Sequence, residues 1–379
     1  MRSITTLITG VVAAGALGLS GCAGPASAPE PPSATGTAHG WQFFADDIPA
    51  DRRGTFETVG REYGLSSDPQ APQGDPDSRA LIVQRATGKV VARFQPESPQ
   101  RQAYRAVFTD RHAMILDGSY VKAEAPDPVK DQSVLWRVDL AGGQRTRFQP
   151  MTVASLSLSE QMTEQATDAG PAVVVPAVGH DQRSCLISVD VATLRDTLLH
   201  CAPPGATILR VDHAGGGLSW LQADGSGYAD CKSRWWREPS GVITQLAPEA
   251  GCGIWEGVRL GGWTFTAALA AQGEHEYDFS HATARSERSS VVDFGRVLTS
   301  TVVACGDHVY WLAADDRTQQ EWQEVRRWKP GDDRYETVLR TEGDAGRRPP
   351  ACTQGVLTIS NTRQVAEPFS VRTRYLDRP

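Results

Sequence analysis

Along most of the chain, short apolar or alternating runs are closed by clusters of Gly, Pro, Asp and Asn, and helical periodicity is almost absent. Period-two alternation marks half-buried strands, and the clusters between them mark turns. Five pairs of runs predict hairpins. Residues 79–94 turn at Ala86-Thr87-Gly88, and residues 133–148 at Ala141-Gly142-Gly143. Residues 185–199 turn near Ala192-Thr193, 231–246 at Glu238-Pro239-Ser240-Gly241, and 324–339 at Pro330-Gly331-Asp332.

The turns fall near positions 87, 142, 193, 240 and 331, with gaps of 55, 51, 47 and 91, the last close to two repeats. A missing turn is expected in the polar stretch 280–290, between Tyr277-Asp278-Phe279 and Val291-Val292-Asp293-Phe294. A second motif keeps the same pace. Gly or a turn precedes an apolar strand at Gly217-Leu218-Ser219-Trp220, Gly262-Trp263-Thr264-Phe265, Gly306-Asp307-His308-Val309-Tyr310-Trp311 and Gly355-Val356-Leu357-Thr358-Ile359. Ala113-Met114-Ile115-Leu116 and Ala172-Val173-Val174-Val175 are earlier members, and all are read as inner strands. Repeats of this length with four short strands each predict an all-β fold, a β-propeller of about seven four-stranded blades, six or eight being compatible with the same spacing. Residues 369–376 read as a third strand with no fourth after it. Trp41-Gln42-Phe43-Phe44 is expected to supply that strand, closing the ring and removing an open edge.

The hairpin at 79–94 resembles repeats of the quinoprotein-like (YVTN-like) propeller family, in which a strand runs into Asp-x-x-Thr-Gly and then an apolar strand. Thr87 and Gly88 match, with Gln84 in place of the Asp and Ala92 in place of a Trp; Asp139 and Gly143 match in the next hairpin, and Asp190 and Thr193 in the third. The resemblance implies the fold. Its departures speak against a quinone, and no cofactor is expected.

The first 22 residues carry a different signal. Arg2 is followed by an uncharged apolar run, residues 4–17, and then by Leu19-Ser20-Gly21-Cys22. The run is too short for an ordinary membrane-spanning helix, and the layout is that of a secretory signal. It resembles the lipobox of bacterial lipoproteins, which implies cleavage after residue 21, acylation of Cys22 (palmitate among the chains) and a mature protein anchored on the outer face of the cell membrane. Residues 22–40 are rich in Pro, Ala and Ser and read as a tether. Residues 41–379 read as one propeller domain. Among residues 1–21 only Arg2 is charged, so removing them moves the formal charge from −7 to −8. That mild acidity argues against nucleic acid as a partner.

Six further cysteines, an even number in an exported chain, predict three disulfides. Cys185 and Cys201, and likewise Cys231 and Cys252, each bracket a hairpin, one cysteine opening the third strand and the other following the fourth; Cys305 and Cys352 each precede an apolar strand one repeat apart. The expected pairs are therefore Cys185–Cys201, Cys231–Cys252 and Cys305–Cys352, the last stapling neighbouring blades. No CxxC or CxxH pair suggests a metal. The cluster Glu274-His275-Glu276-Tyr277-Asp278-Phe279-Ser280-His281 reads as a solvated blade edge, because His275 and His281 stand about 20 Å apart on an extended strand. Of ten tryptophans, Trp235-Trp236 invite a sugar platform, yet adjacent strand residues face opposite sides. Trp136, Trp220, Trp263, Trp311 and Trp328 read as core, and Gly215-Gly216-Gly217, Asp315-Asp316 and Asp332-Asp333 as turns. No catalytic motif is present. The expected function is non-catalytic binding of a protein, peptide or envelope glycan. The alternative is an extracytoplasmic hydrolase or degenerate quinoprotein-like dehydrogenase with a site at the propeller channel, its residues drawn from several blades.

Overall fold

Each apolar run seeks partners for both of its faces and for its backbone groups, and repetition lets neighbours supply them. The computed structural model describes residues 42–43, 56–67, 80–97, 101–119, 133–157, 162–167, 170–225, 231–269, 279–314, 322–342, 350–363 and 370–377. All lie in the unit Thr35–Pro379. They form seven antiparallel sheets, six of four strands and one in which the innermost position is split between two short strands. The chain is a seven-bladed β-propeller.

The first blade comprises Phe56–Val59, Tyr63–Ser67, Ala80–Gln84 and Val90–Phe94. The second comprises Arg101–Phe108, His112–Ser119, Val134–Asp139 and Arg145–Arg147. In the third, Ser155–Leu156 and Thr163–Thr167 both pair with Gly170–Val178, followed by Ser184–Asp190 and Asp196–Cys201. The fourth runs Thr207–Ala214, Gly217–Ala223, Lys232–Arg237 and Ile243–Leu246. The fifth runs Ile254–Leu260, Trp263–Leu269, Phe279–Ser286 and Val291–Leu298. The sixth runs Val303–Cys305, His308–Ala314, Trp322–Trp328 and Glu336–Glu342.

The seventh blade is composite. Ala351–Thr353, Val356–Arg363 and Ser370–Asp377 come from the end of the chain, and Gln42–Phe43 adds the outer strand, pairing Gln42 with Tyr375 and Phe43 with Arg374. This is the closure expected from the sequence. It hides the edge that an unpaired Ser370–Asp377 would present.

The most apolar strands, such as Gly217–Ala223, are inner strands as expected, second in their blades. They are buried on both faces (all seven residues of Gly217–Ala223 are buried) because blades flank them on either side. The missing turn lies at residues 287–290, inside the stretch expected from the sequence, and the polar residues before it belong to the strand Phe279–Ser286. Ala282 and Ala284 are buried on one face while His281 and Arg285 project outward on the other.

The hairpin motif has a structural role. Asp139 Oδ1 accepts the backbone N–H of Ala141 at 2.8 Å and of Gly142 at 2.9 Å. Asp190 Oδ1 accepts both the N–H and the hydroxyl of Thr193 at 2.6 Å. At Gln84 the side-chain oxygen accepts the Thr87 hydroxyl at 2.8 Å, which explains why a glutamine serves. The closing residue is left-handed in all three turns, at Gly88 (φ 64°), Gly143 (φ 69°) and Leu194 (φ 57°). Only Leu194 adopts this conformation against its side chain.

The core is a set of seams between successive blades. Phe265 and Phe294 of the fifth blade meet Trp311 and Trp328 of the sixth, with ring centroids 5.2–6.4 Å apart. Three disulfides reinforce the ring, in the pairs expected from the hairpin layout. Cys185–Cys201 joins directly paired residues, with Cα atoms 4.0 Å apart; Cys231–Cys252 spans 4.9 Å, and Cys305–Cys352 joins the innermost strands of the sixth and seventh blades across 5.5 Å.

Candidate functional site: the channel plug and the groove between the fourth and fifth blades

In four blades the innermost strand shifts register at the same level, between Phe56 and Thr58, Ala103 and Arg105, Ile208 and Arg210, and Ile254 and Glu256. A bulge bends its strand and re-aims the side chain that follows. Here those side chains are Thr58, Arg105, Arg210 and Glu256, all polar within mainly apolar segments.

Arg210 reaches from the fourth blade to the fifth and to the start of the sixth. Its Nη1 donates to Glu256 Oε2 of the fifth blade at 3.2 Å, its Nη2 to the Val302 carbonyl at the start of the sixth at 2.9 Å, and its Nε to Asp212 Oδ1 at 3.3 Å. Arg234 donates through Nε to Ser219 Oγ at 2.7 Å and pairs through Nη2 with Asp212. Ser219 in turn donates to the Gly257 carbonyl. Arg105 of the second blade acts on Asp212 electrostatically. A buried ionic plug thus joins the fourth and fifth blades and the start of the sixth.

The two carboxyls of the plug respond differently to one environment. Burial opposes ionisation at both. At Asp212 the two neighbouring arginines outweigh it, and the carboxyl is held below its usual range. At Glu256 burial wins over the same arginines and pushes the carboxyl up. Arg234 Nη1 and Glu256 Oε1 have no hydrogen-bond partner among the described residues. With Arg234 and Glu256 each only 1% exposed, these groups shape the ring and do not meet solutes.

Beside the plug, a cavity of about 720 Å³ opens where the turns between first and second strands cluster, lined by Phe108, His112, Gln165, Pro171, His213 and Gln354. Gln354, left-handed at φ 53°, braces it by donating from Nε2 to the Phe108 carbonyl at 2.8 Å and accepting the Arg61 N–H at 2.9 Å. Burial lowers the pKa of both His112 and His213 from its ordinary value, which favours the neutral imidazole.

A second cavity of about 720 Å³ runs between the fourth and fifth blades. Its origin is visible when repeats are aligned. The last four blades share a two-residue turn between first and second strands, with closing pairs Ala214–Gly217, Leu260–Trp263, Cys305–His308 and Thr353–Val356. Counting from these pairs, Leu218 and Trp220 in the fourth blade pack on the third. Val309 and Trp311 in the sixth pack on the fifth, and Leu357 and Ile359 in the seventh pack on the sixth. In the fifth blade the equivalent residues are Thr264 and Thr266, and both line the cavity. Short polar side chains stand where the neighbouring blades place a hydrophobic wedge. The inner part of this seam is still sealed, by Trp236, Leu246 and Val258.

Cys22 lies outside the described residues, as do residues 274–278 and Asp315-Asp316. His281 is exposed, with Nε2 2.9 Å from Asp293 Oδ1. Trp236 is 4% exposed, whereas Trp235 is half-buried on the other side and donates to Ser233 Oγ at 2.9 Å, so the two form no shared platform. Trp136, Trp220, Trp311 and Trp328 are buried in strands, and Trp263 is half-buried in one. Gly215, Gly216, Asp332 and Asp333 occupy turns and bends. Sequence reasoning missed Arg210, Asp212, Arg234 and Glu256, whose signal was charge inside a strand, and Thr264 and Thr266, whose signal was a break in the repeat.

No protein-family model and no curated protein matches the chain. Solved structures do. The polysaccharide lyase Uly1 superposes at 9% identity with TM-score 0.54, covering 87% of this chain and 91% of that one. The propeller domain of the Trilobed protease from Pyrococcus furiosus superposes at 8% identity with TM-score 0.51, covering 87% and 97%. The Dos1 propeller superposes at 10% identity with TM-score 0.50, covering 85% and 77%. The chain spans 42% of the length of a puromycin-hydrolyzing peptidase from Mycobacterium tuberculosis. At such identities the likeness is one of fold, which is the class the seven sheets define: a closed β-propeller. Propellers host many functions, so function must come from the sites.

Proposed function

We propose that the chain is a lipid-anchored extracytoplasmic propeller that binds a protein, peptide or envelope glycan without turning it over. The signal, the Leu19-Ser20-Gly21-Cys22 motif and the Pro/Ala/Ser-rich residues 22–40 support display outside the cell on a tether. The observation that carries the binding role is the groove between the fourth and fifth blades. Packing to near-crystalline density is the rule inside proteins, and the places where a sequence breaks its own pattern are typically functional or strained sites. The ionic plug and the disulfides hold the walls of that groove rigid, which lowers the entropic cost of binding.

Two experiments test the proposal. Cys22→Ala should release the protein from membranes or leave the precursor uncleaved; unchanged attachment contradicts the anchor. The purified protein should give no turnover in a screen of glycoside, ester and alcohol substrates. Robust turnover, abolished by substituting a carboxylate or histidine that lines either cavity, contradicts the non-catalytic role.

A further inference from the structure

We infer that the groove between the fourth and fifth blades is a saccharide-binding site, an assignment that rests on reading the ring as a binding module. The wall on the fifth blade is a ladder of paired residues: Thr264 opposite Arg285, Thr266 opposite Thr283, and Ala268 opposite His281. All six line the groove. The ladder runs for about 13 Å, from a rise of roughly 3.3 Å per residue. Gln245 and Trp236 of the fourth blade face it, and Trp263 stands at the end where the turns cluster.

This inventory fits a polyhydroxylated ligand. Three threonine hydroxyls and the Gln245 amide can each donate and accept, as sugar hydroxyls do. Apolar surface for the C–H face of a pyranose is limited to the accessible edge of half-buried Trp263, whose ring packs on Trp328, while Trp236 is 4% exposed and closes the floor. Charge lines the groove in both signs, Arg259 and Arg285 against Glu238, Glu249 and Glu287, so no single-sign field selects a strongly charged ligand. Arg259 Nη1 stands 3.5 Å from Glu238 Oε1, linking the two blades. A peptide strand is a poorer fit. Strand addition needs an open sheet edge, and the walls here are the faces of two sheets whose paired strands satisfy one another's backbone groups.

The test uses the full-length protein in detergent micelles, titrated calorimetrically with hexamers of β-1,4-linked glucose, β-1,4-linked N-acetylglucosamine, α-1,6-linked mannose and α-1,5-linked arabinose. At least one should bind with Kd below about 1 mM, or roughly −4 kcal/mol. Thr266→Trp restores the wedge that Trp220 and Trp311 supply in the neighbouring blades and should weaken that binding at least tenfold, a change of about 1.4 kcal/mol. Arg285→Ala, at an exposed position where folding is not at stake, should weaken it with Tm unchanged. Absence of binding to every hexamer, or binding indifferent to both substitutions, overturns the assignment. Selection of a heptapeptide whose binding Thr266→Trp blocks overturns the saccharide class and leaves the binding module standing. Cleavage of a bound hexamer overturns the non-catalytic reading and leaves the saccharide class standing.

Discussion

Replacing Asp212 by alanine tests the account of the channel plug. Asp212 is the acceptor shared by Arg210, at 3.1 Å to Oδ2, and Arg234. Their side chains are 8% and 1% exposed, so neither guanidinium can recover its lost partner from bulk water. Breaking a buried pair while leaving the opposite charge in place costs about 3–5 kcal/mol. With roughly 2.1 cal/mol/K of unfolding entropy per residue, the 339 residues of 41–379 give about 0.7 kcal/mol/K, so Tm should fall by about 4–7 °C. Glu256→Gln is the control. It preserves an oxygen for Arg210 Nη1 and removes a carboxyl that burial already disfavours, so its cost should stay below about 1.5 kcal/mol. Urea denaturation followed by tryptophan fluorescence gives both values. Equal losses, or a loss below about 1 kcal/mol for Asp212→Ala, would refute the reasoning that charge pairing at Asp212 holds the plug together.

Three further outcomes are expected. Removing Cys305–Cys352, which closes a loop with sequence separation 47, should cost about 4 kcal/mol on the chain-entropy scale against about 3 for Cys185–Cys201 with separation 16; denaturation of the two double-serine variants ranks them. Gly217→Ala should destabilise by about 2–4 kcal/mol, since its Cβ would overlap Trp236 Cζ2 and lie 2.7 Å from the Arg237 carbonyl oxygen, and a thermal melt reads the loss. Asp196 accepts the Thr152 N–H at 2.8 Å, the Thr152 hydroxyl at 2.6 Å and the Met151 N–H at 3.1 Å, which outweigh burial and hold its pKa below the ordinary value. Its contribution is therefore present above the unfolded carboxylate pKa of about 3.9 and lost as pH falls through the lower folded value. The Tm advantage of the wild type over Asp196→Asn should shrink between pH 5 and the acid limb, as measured by melts across that range.

Much of the ring was legible because hairpins announce themselves twice, by alternation and by turn chemistry. The repeat length, the composite seventh blade and the cysteine pairs all follow from those two signals. The innermost strands were obscured because bulges interrupt their alternation just where Arg210 and Glu256 enter, and charges inside a strand read as a break. The second strands were legible as inner strands because burial on both faces makes them the most apolar. Phe279–Ser286 escaped notice because alanines supply its buried face and polar residues fill the positions between them. The groove was hidden for another reason. Threonine suits a strand as well as valine does, so Thr264 and Thr266 become conspicuous only when blades are aligned residue by residue and a tryptophan is found wanting.

The central claim, a binding propeller held outside the cell by its first mature residue, is tested most directly by mass spectrometry of the amino-terminal peptide of the protein extracted from membranes. The expected result is a mature chain that begins at Cys22 and carries acyl chains on it. A chain that begins elsewhere, or an unmodified Cys22 in membrane-bound protein, would contradict it.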